Sequence, residues 1–149
     1  MVDFNALLKK TLSIVSEGYE RAFNDLETVV DKLSTAIKEN AGGDFALAMS
    51  TARSDVKGTI FRIYFDTNVD DPEADVITIV HIMIPSIGYP IYPGVYNYKS
   101  DAFNYEGKID DFEELEQYFK GFLESPESTF IQALGFAIRN LTGKDDIPF

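Results

Sequence analysis

Cysteine is absent from the 149-residue chain, histidine occurs once, and 13 basic residues face 25 acidic ones. Without cysteine there is no disulfide framework, no thiolate metal site and no cysteine nucleophile. With His81 alone, a zinc site would need carboxylates as its other ligands. The formal charge of -12 argues against direct binding to nucleic acid or to an anionic membrane surface. It favours a basic partner instead. No run approaches the 18 or so apolar residues that span a bilayer, and no basic segment precedes an apolar stretch at the N-terminus. The expectation is a soluble, cytoplasmic protein, in which Asn140-Leu141-Thr142 is a chance match to a glycosylation acceptor.

Nucleotide-binding and hydrolase signatures are missing as well: the sequence contains no G-x-G-x-x-G, no G-x4-G-K-[ST] and no G-x-S-x-G. What is present is 45% apolar residues, 13% of the chain being aromatic, in a length close to the commonest domain size. One domain over residues 1–149 is expected, with a loose tail at 144–149, where no periodicity remains.

Leu8, Leu12, Val15, Tyr19, Ala22, Leu26, Val29, Leu33 and Ala36 recur at steps of four and three, which predicts a long N-terminal helix. Phe23, Val30 and Ile37 widen its apolar stripe beyond a narrow dimeric seam. Asp3 is the expected N-cap and Gly42-Gly43 the expected stop. Such a helix runs about 55 Å at 1.5 Å per residue, longer than a domain of this size is wide. Either it bends or breaks near Ser16-Glu17-Gly18, or its end projects and is covered by a second copy, a homodimer through the N-terminal helix.

After Gly43 the period changes to two. Phe45, Leu47 and Met49 alternate with small residues; Phe61, Ile63 and Phe65 then share one strand face opposite Ile60, Arg62 and Tyr64. Residues 76–84 are apolar on both faces and read as a central strand. Residues 95–99 and 102–108 form a hairpin around Ser100-Asp101 carrying Tyr96, Tyr98, Phe103 and Tyr105. Asp110 caps a helix with Glu113 reaching back, and Ser125-Pro126 starts another. The fold class is therefore α+β: a long N-terminal helix, an antiparallel meander of four or five strands, and two C-terminal helices packed on one face of the sheet.

Candidate chemistry is sparse. His81 sits in the apolar strand, where a neutral core residue is the simplest reading. The stretch from Asp66 to Asp70 starts like a calcium loop, but Asp71 stands where glycine is needed and Ile77 where the bidentate glutamate belongs. Asp110, Asp111, Glu113 and Glu114 supply carboxylates whose placement is explained by the helix dipole. No catalytic residue, no metal and no cofactor is implied.

The stretch that departs most from core requirements is residues 85–98, with three prolines, two glycines and four tyrosines. Rigid backbone bearing amphipathic rings suits a contact surface or a cap over a sheet end. Tyr92-Pro93-Gly94-Val95 fits a type II turn, and Pro90-Ile91-Tyr92-Pro93 spells a PxxP without the basic neighbours that an SH3 ligand carries. Acidic residues flank the segment: Asp66, Asp70, Asp71, Glu73 and Asp75 on one side, and nine acids within residues 101–127 on the other.

These features point to a non-enzymatic acidic protein-interaction domain of adaptor, chaperone or neutralising type. It would contact a basic partner, or itself, through Tyr89, Tyr92, Ile91, Tyr96 and Tyr98, with Tyr89 and Tyr92 facing outward and Tyr96 and Tyr98 packed. The alternative is a small-molecule or catalytic pocket between helices and sheet, lined by Tyr64, His81, Tyr96 and Tyr98.

Overall fold

The computed structural model describes residues 1–41, 46–66 and 77–141. They form helix α1 (Phe4–Ala41), strands β1 (Ala46–Asp55), β2 (Gly58–Asp66), β3 (Ile77–Pro85), β4 (Tyr92–Asn97) and β5 (Ala102–Tyr105), and helices α2 (Phe112–Glu124) and α3 (Thr129–Leu141). The strands make one antiparallel meander in the order β1-β2-β3-β4-β5, with all three helices against the same side, so the class is α+β. Phe45, the Gly42-Gly43 stop, the acidic and calcium-like stretch at 67–75, and the tail lie outside the described residues.

Asp3 caps α1, its Oδ1 accepting from Ala6 N at 3.1 Å. The helix does not break at Gly18. Glycine is needed there for a different reason: a methyl group on Gly18 would lie 2.2 Å from the carbonyl oxygen of Ile87, so α1 crosses the β3–β4 loop in backbone contact. Gly88 completes the crossing with a φ of +95° and the Gly18 carbonyl oxygen 2.2 Å from its missing Cβ. Beyond this crossing Ala22, Leu26, Val29, Val30, Leu33 and Ile37 are buried, whereas residues 1–14 are all exposed and project past the sheet.

Period two places Leu47, Phe61, Ile63, Phe65, Val80, Ile82 and Ile84 under the helices. There Phe23 meets Phe61 with ring centres 5.4 Å apart, and Phe65 meets Phe130 at the same distance. β3 is the middle strand, with Val80, Ile82 and Ile84 beneath the helices and His81 and Met83 on the other face.

Three local expectations are displaced by tertiary pairing. Pro93 and Gly94 sit inside β4, opposite Ile82 and His81, and make no type II turn: the chain has already turned at Ser86 to Gly88, where Gly88 N donates to Pro85 O at 2.9 Å. A proline is tolerated because its carbonyl, the group available for pairing, accepts from Glu106 N at 2.9 Å. The cap of α2 is Asp111, one residue later than expected; its Oδ1 accepts from Glu114 N at 2.9 Å, and Glu114 Oε2 accepts from Asp110 N at 2.6 Å. Ser125 closes α2, and Ser128 opens α3 by accepting from Ile131 N at 3.1 Å while donating to Phe122 O at 2.6 Å. One serine hydroxyl thus joins the two helices, which a cap at Ser125 does not do.

Candidate functional site

The sheet face opposite the helices is built by the alternate residues of the same strands. Register pairs Ile60 with Met83, Arg62 with His81, His81 with Gly94, Tyr96 with Phe103 and Gly94 with Tyr105. Gly94 leaves a gap that Phe103 fills: its ring carbon would be 2.9 Å from a methyl group there. The result is a continuous aromatic layer. Tyr92 and Tyr105 meet edge to face at 5.3 Å, Phe103 and Tyr105 at 4.8 Å, and Tyr96 and Tyr98 at 4.8 Å. Arg62 stacks on Tyr64 at 4.9 Å and donates from Nε to Thr78 Oγ1 at 2.8 Å.

His81 is the polar centre of this layer and is only 4% exposed. Its Nδ1 accepts from Tyr96 N at 3.2 Å, which places the ring proton on Nε2, 3.1 Å from the Tyr98 hydroxyl. Burial, reinforced by the nearby Arg62 charge, holds the imidazole pKa below its ordinary value, so the ring is neutral near pH 7. With both nitrogens engaged, its work in this arrangement is to tie β3 to β4 and to orient Tyr98.

A second chain of bonds runs along the rim. The Tyr96 hydroxyl donates to Asp101, and Arg53 bridges Asp101 at 3.0 Å and Asp55 at 2.8 Å. The bond to Asp101, followed by burial, raises the Tyr96 pKa. Asp55 is held below the usual carboxylate range, chiefly by accepting from Lys57 N at 2.8 Å. Asp101 itself adopts φ 54° in the β4–β5 turn, and Asn97 Oδ1 accepts from Lys99 N and Ser100 N. Between this rim and the aromatic rings lies a cleft of about 190 Å³ lined by Arg53, Asp55, Lys57, Ile60, Met83 and Tyr105, among others.

The five residues singled out from the sequence are dispersed. Tyr89 is half-buried on the helix side of the molecule, its hydroxyl donating to Asp25 of α1 at 2.7 Å; burial and that carboxylate push its pKa upward. Ile91 is fully buried and exchanges 2.8 Å backbone bonds with Ile109, which leaves it no surface to offer. Tyr92, Tyr96 and Tyr98 do come together on the open face, Tyr96 buried at 8% exposure and Tyr98 outward at 57%. The outward and packed roles expected for Tyr89 and Tyr98 are therefore exchanged: Tyr89 is claimed by α1, and Tyr98 follows Asn97 at the strand end, with His81 beside its hydroxyl. Residues absent from that set are Tyr105, 59% exposed, with Phe103, Arg53 and Asp101. Their signal is the period-two spacing of Phe103 and Tyr105 after a turn.

Tyr64, His81, Tyr96 and Tyr98 lie on the face away from the helices, so they line no pocket between helices and sheet. The space beneath the centre of the helices is filled by Leu26, Ile63, Phe65, Ile82, Leu115, Phe119 and Phe130, each almost fully buried, while a cleft of about 500 Å³ opens between α1 and strands β1 and β2, lined by Tyr19, Phe23, Met49, Thr51 and Thr59 among others. Among the described residues no group of three or more metal-ligating side chains is assembled, and no helix is long and apolar enough to cross a membrane.

Fold and site together define an α+β domain with a single helical layer and an uncovered aromatic sheet face. No protein-family model, curated protein or solved structure matches the chain.

Proposed function

We propose that the chain is a non-enzymatic protein-interaction domain that engages a basic segment of another protein across its open sheet face. One observation carries the reading: helices cover the sheet on one side only, over β1 to β3, while the other side presents Tyr98 and Tyr105, both more than half exposed, above a hydrogen-bonded foundation. Rings whose neighbours already fix them lose little freedom on binding, so their burial goes largely into affinity. The exposed tyrosine faces suit lysine and arginine side chains, in keeping with the net charge of -12, while Asp55 and Asp101 are already bridged by Arg53.

A small-molecule site is the second reading, suited to the cleft of about 500 Å³ between α1 and strands β1 and β2. That volume falls within the roughly 300–1,000 Å³ usual for ligand pockets, but the Tyr19, Ser54 and Thr59 hydroxyls lining the cleft are already paired with one another, which favours the protein-binding reading.

Affinity capture from native lysate tests the assignment, comparing the wild-type chain with the Tyr98→Ser/Tyr105→Ser variant. The expected outcome is a species retained by the wild type, released by raised salt and lost with the variant. Identical capture by both proteins, or none by either, overturns it.

A further inference from the structure

We propose that the outer edge of β1 is a docking site for an extended, basic segment of another protein, which adds a strand to the sheet and lays side chains in the cleft beside α1. β1 is an edge strand of 10 residues, whereas the strand at the opposite edge, β5, has 4. Leu47 N donates to Ser34 Oγ of α1 at 3.3 Å and not to β2. Alternation along an antiparallel strand therefore turns the N–H and C=O groups of Met49 and Thr51 outward as well, and those of Ala48 and Ser50 inward to Tyr64 and Arg62. Among the described residues nothing bonds to the outward groups of Met49 and Thr51. Natural edges are guarded by charges, proline or a bulge, but here the bulge and the first charge come only at Ala52 and Arg53, leaving residues 46–51 with none of these.

The surroundings of this edge identify the occupant. Outward donors and acceptors on alternate residues match the backbone of an extended chain. Beside them, in the cleft of about 500 Å³, Phe23 and Phe61, with ring centres 5.4 Å apart, make an apolar floor together with Met49. The Tyr19, Thr59 and Ser54 hydroxyls are bonded to one another, so apolar side chains of the incoming strand leave them satisfied. Glu27 stands on the α1 wall of the cleft, exposed and, among the described residues, without an ion-pair partner. Its carboxylate calls for a lysine or arginine on that strand. It also disfavours a second copy of this chain: two-fold pairing of β1 with itself at Met49 to Thr51 sets Glu27 against its own symmetry mate and joins two chains of charge -12. The edge is separate from Tyr98 and Tyr105, and either assignment stands or falls without the other.

Amide hydrogen exchange of the full chain, followed residue by residue by NMR, provides the test. The probe is the peptide Val-Lys-Val-Lys-Val-Lys; its controls are the same peptide N-methylated at every residue, which keeps the charge but cannot donate, and Val-Glu-Val-Glu-Val-Glu. With the lysine peptide, exchange at Met49 and Thr51 is expected to slow about tenfold or more, while Ala48 and Ser50, already bonded to β2, stay unchanged. Neither control is expected to slow any of them. Glu27→Lys, at an exposed position, is expected to stay folded by circular dichroism and to bind the lysine peptide about tenfold more weakly. Unchanged exchange at Met49 and Thr51 overturns the proposal, as does equal slowing by the N-methylated peptide, which marks attraction of charge alone. Slowing that appears in the chain by itself as its concentration is raised assigns the edge to a second copy and overturns it too.

Discussion

On the helix-covered side of the sheet, Phe61, Phe65, Phe119 and Phe130 touch ring to ring or ring to aliphatic chain, and their positions are held by exclusion of water. On the opposite side, Tyr96, Tyr98 and His81 are as closely packed, but each is also tied by a hydroxyl or ring nitrogen to a named partner. Dispersion and burial are non-directional and tolerate sliding, whereas a hydrogen bond fixes a ring's orientation without enclosing it. That difference lets the second face stay ordered while facing water. It accounts for the two most exposed rings of the open face, Tyr98 and Tyr105, being tyrosines, while Phe61, Phe65, Phe119 and Phe130 are enclosed beneath the helices.

Truncation on the covered side gives the largest expected effect. Phe130, almost fully buried between Phe65 and Phe122, is expected to cost about 3–5 kcal/mol when changed to Ala. Denaturant titration measures this. A loss below about 1 kcal/mol would place the stabilising packing elsewhere.

The seat of α1 comes next. Gly18→Ala improves helix propensity by nearly 1 kcal/mol but forces a methyl group against the Ile87 carbonyl at 2.2 Å. A net destabilisation of about 1–3 kcal/mol is expected in the same titration. A stabilised variant would mean that the crossing relaxes freely.

The smallest effect belongs to the open face and is read from pH. The His81 pKa is depressed in the folded chain relative to its unfolded value of about 6.5. Above that pH the imidazole is neutral in both states. As pH falls through it the unfolded chain takes up the proton first, so stability declines until the folded pKa is passed and then declines no further on this account. Melting temperature measured from pH 7.5 to 5 should fall for the wild type and fall less for His81→Gln. Parallel curves would show that His81 exchanges its proton equally in both states.

Much of this architecture was legible in the chain because periodicity is a local property. The 3.6-residue repeat from Leu8 to Ala36 and the alternation at Phe61, Ile63 and Phe65 each require only that one side of an element be apolar. The caps fall one to three residues later than the spacing predicts, since Asp110 competes with Asp111 and Ser125 with Ser128, and such candidates differ only in where the chain leaves the preceding element. In sequence Gly18 is a helix weakness because propensity is a local property, whereas the loop pressing on it is contributed from Ile87 and Gly88.

The candidate site shows the same division more sharply. Composition placed four tyrosines within residues 85–98, but their environments come from Asp25, His81 and Asp101, of which Asp25 lies far from the segment in sequence and the other two just outside its ends. Helix and strand identity, net charge and the absence of thiol chemistry followed from residue types and their spacing, which are written along the chain. Which tyrosine faces water was set by strand register and by the crossing of α1, because burial depends on what long-range pairing brings alongside.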